Sequence, residues 1–125
     1  MSFKTAKQLL ADFVTEAFND HEKVKQELIE QIQKNQLTGT FGEAHVQHAQ
    51  RTESLIKALD LTPEFIAGEE FENLTDEQIQ DWIDGSYKSM KRRENDYLRG
   101  GISERDMYQL SGVAQYRVFL EQFIK

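Results

Sequence analysis

The chain has 125 residues, 38% of them hydrophobic and 30% charged, with a net charge of −7 and no cysteine. That composition suits one folded domain over residues 1–125 and excludes disulfides, thiolate chemistry and cysteine-bound zinc. The negative balance argues against direct nucleic-acid binding, which needs a cationic surface.

No stretch approaches the ~20 apolar residues that cross a bilayer, so no membrane role is expected. The first ten residues hold Lys4 and Lys7 and no long apolar run, unlike a secretory signal. With no cysteine, these features fit a cytoplasmic protein.

Residues 3 to about 35 read as one long helix or two collinear ones. Phe3, Ala6, Leu10, Phe13, Ala17, Val24, Leu28 and Ile32 recur at the three- and four-residue spacing of one helical face. The stripe weakens at Asn19-Asp20-His21-Glu22, where a kink or break is allowed. Unbroken, the helix would be about 50 Å long.

Asn35 to Gly42 reads as a loop. Thr40 and Glu43 have capping-box spacing, which starts a second helix near Phe41 and carries it to about Leu59. Its stripe is Phe41, His45, His48, Ala49, Thr52, Leu55, Ile56 and Leu59, with the first half the more polar.

Thr62-Pro63-Glu64 is a helix start with proline at its first position, where a missing N–H costs nothing. A single short helix over Pro63–Ala67 is expected, stopped by Gly68. Phe65, Ile66 and Phe71 would tuck this connection against the core.

The third main helix is expected from Asp76 to about Arg99. Thr75 caps it, Gln78 completes a capping box, and Leu74 and Ile79 form a hydrophobic staple. Asp76 and Glu77 open this helix and Lys91, Arg92, Arg93 and Arg99 close it, as the helix dipole favours. Its stripe includes Ile79, Trp82, Ile83, Tyr87, Met90 and Glu94, which makes Trp82 a core residue.

After a turn at Gly100-Gly101, Ser103 caps a last helix from Glu104 to Ile124. Ile102 and Met107 would staple it, with Asp106 in the Glu position of the box. Its apolar arc is wide, from Met107 to Ile124, so it is central or faces a partner. No strand alternation of useful length appears. The expected fold is all-α, an antiparallel bundle of four main helices with a short extra helix before the third.

Two constellations stand out. The first is acidic. Between Lys57 and Lys88 there are nine acids and no base, so the rest of the chain sums to +2 (−7 minus −9). Glu69, Glu70 and Glu72 lie in the connection. Glu77, Asp81 and Asp84 share one helical face, opposite Ile79, Trp82 and Ile83. Such a surface suits a basic protein partner.

The second is His45 and His48, three apart on one face, with Glu94 or His21 as further ligands from other helices. This is a candidate metal or small-ligand site, although no Glu-x-x-His pair accompanies it. The cluster Lys88 to Arg93 suits a helix C-terminus better than a phosphate site, and Gly39-Thr40-Phe41-Gly42 lacks the lysine of a phosphate loop. No serine stands in a nucleophile elbow.

The preferred expectation is a non-enzymatic protein without cofactor that binds another protein through its acidic face. A homodimer is also expected, because Val24, Leu28, Ile29 and Ile32 would lack cover within one chain. The alternative is a metal- or small-ligand-binding bundle, with enzymatic activity allowed, using His45, His48 and Glu94.

Overall fold

The computed structural model describes residues 4–34, 39–101 and 104–124. Among them are six helices, four of them long, and no strand. They are α1 Ala6–Gln33, α2 Gly39–Ala58, α3 Pro63–Ile66, α4 Glu69–Glu72, α5 Asp76–Arg99 and α6 Glu104–Glu121.

Helix α1 is unbroken. Thr5 caps it, accepting from the Gln8 N–H at 3.2 Å, while the Gln8 side chain accepts from the Thr5 N–H at 2.9 Å. The break allowed near Asp20 does not form. Ala17 and Val24 are both buried and lie two turns apart, so the apolar stripe runs straight across the polar stretch. Val24 is only 5% exposed, which corrects the expectation that it lacks cover.

The capping box of α5 forms as expected, with Thr75 and Gln78 bonded in both directions. The helix ends at Gly100, and Gly101 takes the left-handed φ of 74° that starts the return. Helix α2 already begins at Gly39, so the loop expected to run to Gly42 ends earlier and Thr40 lies inside the helix rather than capping it. The cap expected at Ser103 and the Ile102 staple lie outside the described residues.

Two short helices, not one, join α2 to α5. Thr62 caps α3 by accepting from the Phe65 N–H. Gly68 then serves as the N-cap of α4, which opens on Glu69 and Glu70. Acids there face the positive end of the helix dipole.

The long helices form two antiparallel hairpins, α1–α2 and α5–α6. The Lys7 ammonium on the first turns of α1 donates to the Glu72 and Leu74 carbonyls just before α5, at 2.6 and 3.1 Å. So α1 and α5 start at the same end and run in the same sense. Ser54 meets Gly112, and Asp60 lies beside Tyr116, so α2 and α6 also run together. Helices α2 and α6 pack closely along their length. Among the described residues the backbones of α2 and α5 do not come close, and a long connection crosses the end of the bundle between them.

Leu10, Val14, Ile83, Val113, Tyr116 and Leu120 are fully buried at the centre. Each such aliphatic side chain contributes about 1.5–3 kcal/mol. Phe13 of α1 stacks on Phe119 of α6 with ring centroids 4.0 Å apart. The core lies toward the end crossed by the connection. At the opposite end, the hairpin tips leave Ile29, Ile32, Val46, Leu98 and Met107 exposed.

Candidate functional site

The connection end is strongly acidic. Glu69, Glu70, Glu72, Glu77 and Asp81 are exposed, and Asp84 is half-buried. Among the described residues, no ion pair engages any acid between Asp60 and Asp84. The i, i+4 partner Lys88 does not reach Asp84. Asp84 instead accepts from Gln80 at 3.0 Å, and Gln80 also donates to the Phe123 carbonyl, tying α5 to the end of α6. The charge is therefore uncompensated by local partners.

An apolar cavity of about 450 Å³ opens within this acidic end. Leu10 comes from α1, Leu61, Phe65 and Phe71 from the connection, and Ile79 and Trp82 from α5. It arises because the connection spans the bundle end on two one-turn helices that cannot fill the gap. Phe71 is buried, and Phe65 meets it edge-on at 6.2 Å yet stays exposed. Trp82 is not a sealed core residue. It is half-buried, packing on the core while also lining the cavity. Periodicity placed Trp82 on the right face. It carried no sign of a cavity, which depends on how the connection crosses the bundle end.

The polar lining is Asp60 and Thr62. Asp60 follows α2 directly and accepts a hydrogen bond from the Ser86 hydroxyl on α5 at 2.7 Å. Tyr116 stands beside this pair. It is fully buried, and its hydroxyl makes no hydrogen bond in the described structure. Burial first, and then the Asp60 carboxylate, push the Tyr116 phenol far above its ordinary range.

The histidines and Glu94 are not brought together. His45 is half-buried on α2 against Gln31 of α1, with 3.1 Å between Nε2 of His45 and Nε2 of Gln31. His48 is exposed rather than facing the core, since the buried positions of α2 begin further on, at Ser54 and Ala58. Glu94 accepts from the Arg117 guanidinium at 2.7 Å, and Arg117 also donates to Glu121 at 2.9 Å. An acid on the apolar stripe of α5 is thus matched by a base on the facing stripe of α6. That pairing, led by the hydrogen bond to Glu94, holds the Arg117 pKa above its ordinary value. Among the described residues, no group of three His, Asp or Glu side chains is placed to hold a metal.

The basic cluster is used locally. Lys91 lies 5.4 Å from the Tyr87 ring centroid, and Arg93 approaches the Met90 sulfur. Among the described residues, no helix is long and apolar enough to cross a membrane. No protein family, curated protein or solved structure matches this chain.

Proposed function

We propose that this chain is a non-enzymatic binding protein that takes a basic protein partner on the acidic end of its bundle. The observation that supports it is the run of nine acids, unpaired in the described structure and gathered at one end. Glu69, Glu70, Glu72, Glu77, Asp81 and Asp84 form the docking surface. Uncompensated charge of one sign speeds association with a cationic patch, and salt screens it over about 8 Å at physiological ionic strength. A reducing compartment such as the cytoplasm suits a chain without cysteine.

The protein works as a homodimer in this reading. Exposed Ile29, Ile32 and Val46 at one hairpin tip, with Leu98 and Met107 at the other, support association through the tips. A dimer of that kind leaves both acidic ends free for partners.

The test is capture from the source cells with the wild-type chain and with Glu77→Gln, Asp81→Asn and Asp84→Asn combined. The wild type should retain a basic protein at low salt and lose it as salt rises. The triple variant should fold normally, by circular dichroism, and fail to retain that protein. Equal capture by both chains at every salt concentration rejects the acidic surface as the docking site.

A further inference from the structure

The geometry points to the connection cavity as a binding site for a small apolar amine, with Asp60 as the counter-ion of its ammonium group. Three observations carry this. The volume of about 450 Å³ lies within the range of small-molecule pockets, about 300–1,000 Å³. Its walls are almost wholly apolar, with the aromatic rings of Phe65, Phe71 and Trp82 among them. Large rings left facing a gap gain free energy when an apolar body removes water from them.

Charge selects the head group. Asp60 is the one ionisable residue in the lining, and no ion pair engages it among the described residues. The Ser86 hydroxyl occupies Oδ2 and holds the carboxylate in place, while leaving it further acceptor capacity. A cation beside it is also attracted by the faces of aromatic rings. The surrounding acids make the local field negative, which disfavours a carboxylate or phosphate ligand. Lys7 is the cation over the Phe71 ring, at 5.3 Å, and it is already spent on the Glu72 and Leu74 carbonyls.

The site reaches beyond the acidic docking surface and does not depend on it. The acids named for docking are Glu69 to Asp84, and none of them lines the cavity.

The reporter is built in. Trp82 is the sole tryptophan and lines the cavity, so its fluorescence reads occupancy directly. The probes are 4-phenylbutylamine, 4-phenylbutanol and 4-phenylbutanoate, which share one apolar body and differ in head-group charge. Titration of the full chain should show saturable changes in Trp82 emission, with the amine bound at least ~10-fold more tightly than the alcohol and the acid weakest. Ten-fold corresponds to about 1.4 kcal/mol, within reach of one charge-assisted hydrogen bond.

Two variants complete the test. Asp60→Asn should bring the amine to the affinity of the alcohol while leaving the alcohol unchanged. Phe65→Ala, at an exposed rim position that the fold does not require, should weaken all three ligands together. The proposal is overturned if no probe saturates the Trp82 signal, if the three bind equally, or if folded Asp60→Asn keeps the preference for the amine. Equal binding would show an apolar cavity without head-group selection. Loss of basic-partner capture in the acidic triple variant, with amine binding intact, would separate this site from the docking surface.

Discussion

Gly112 of α6 donates its backbone N–H to the Ser54 hydroxyl of α2 at 3.0 Å, and the two helices meet there with no room for a side chain. The Ser54 hydroxyl in turn donates to the Tyr108 carbonyl. A Cβ on Gly112 would overlap the backbone and side chain of Ser54, so the helices would have to separate. Gly85 lies inside α5 with nothing within 4 Å of an added Cβ. In an open helix, Gly→Ala gains about 1 kcal/mol. Gly85→Ala should therefore raise stability by about 0.5–1 kcal/mol. Gly112→Ala should lower it by about 1–3 kcal/mol, because overpacking outweighs propensity. Urea midpoints of the two variants check this, and shifts of the same sign would show that α2 and α6 do not cross so closely.

Tyr116 sets an alkaline signature. Its phenol is harder to ionise in the folded chain than in the unfolded one. A group whose folded pKa is raised lends stability that is complete below the unfolded value, about 10, and is lost as pH climbs beyond it. Absorbance titration should show Tyr116 ionising only as the chain unfolds. Tyr116→Phe should remove that late step. The lone buried hydroxyl goes with it, so stability at neutral pH should hold or rise by about 1 kcal/mol. A clear loss of stability instead would mean that the hydroxyl is bonded to Asp60 in solution.

What was legible in the sequence was local. Thr75, Gln78, Leu74 and Ile79 announce the start of α5 through chemistry spanning six residues, and the turn follows from Gly100-Gly101. The acidic run was legible for the same reason. Features that need two distant segments were not. Glu94 looked like an inward-facing ligand until Arg117, 23 residues later, met it across the α5–α6 seam. Gly112 gave no sign of its role, because Ser54 lies 58 residues away. The cavity is of the same kind, since Leu10, Phe65 and Trp82 surround it only once the connection crosses the bundle end.

The Glu94–Arg117 pair should be measurable. Both side chains are largely covered, and the geometry ties α5 to α6. Replacing Glu94 leaves Arg117 with the more exposed Glu121 as its one remaining acidic partner among the described residues, so Glu94→Gln should cost about 1 kcal/mol. A double-mutant cycle with Arg117→Met should give a coupling of similar size. His48→Ala, at an exposed position, should change stability by less than about 0.5 kcal/mol. Zero coupling between Glu94 and Arg117 would reject a structural role for the pair and leave Glu94 open to another use.

Self-association is the remaining expectation, and the placement of the apolar residues decides how to test it. Ile29 and Ile32 are three apart on α1, with Ile32 55% exposed. Val46 of α2 belongs to the same hairpin tip, while Leu98 and Met107, each 59% exposed, flank the α5–α6 turn. Both tips lie at the end opposite the acidic connection, so charge repulsion does not oppose their meeting. A two-fold arrangement would cover the same patch on both copies, the commonest solution for a small soluble chain. Ile32→Asp combined with Leu98→Asp should then convert the dimer to a monomer by sedimentation equilibrium. The monomer should keep its helix content, since neither side chain contributes to the buried core. It should also retain Trp82-detected amine binding, because the cavity lies at the other end of the bundle. A wild-type chain that sediments as a monomer at high micromolar concentration rejects the dimer. A double variant that still dimerises moves the interface away from the tips, with exposed Val118 on α6 the next position to change.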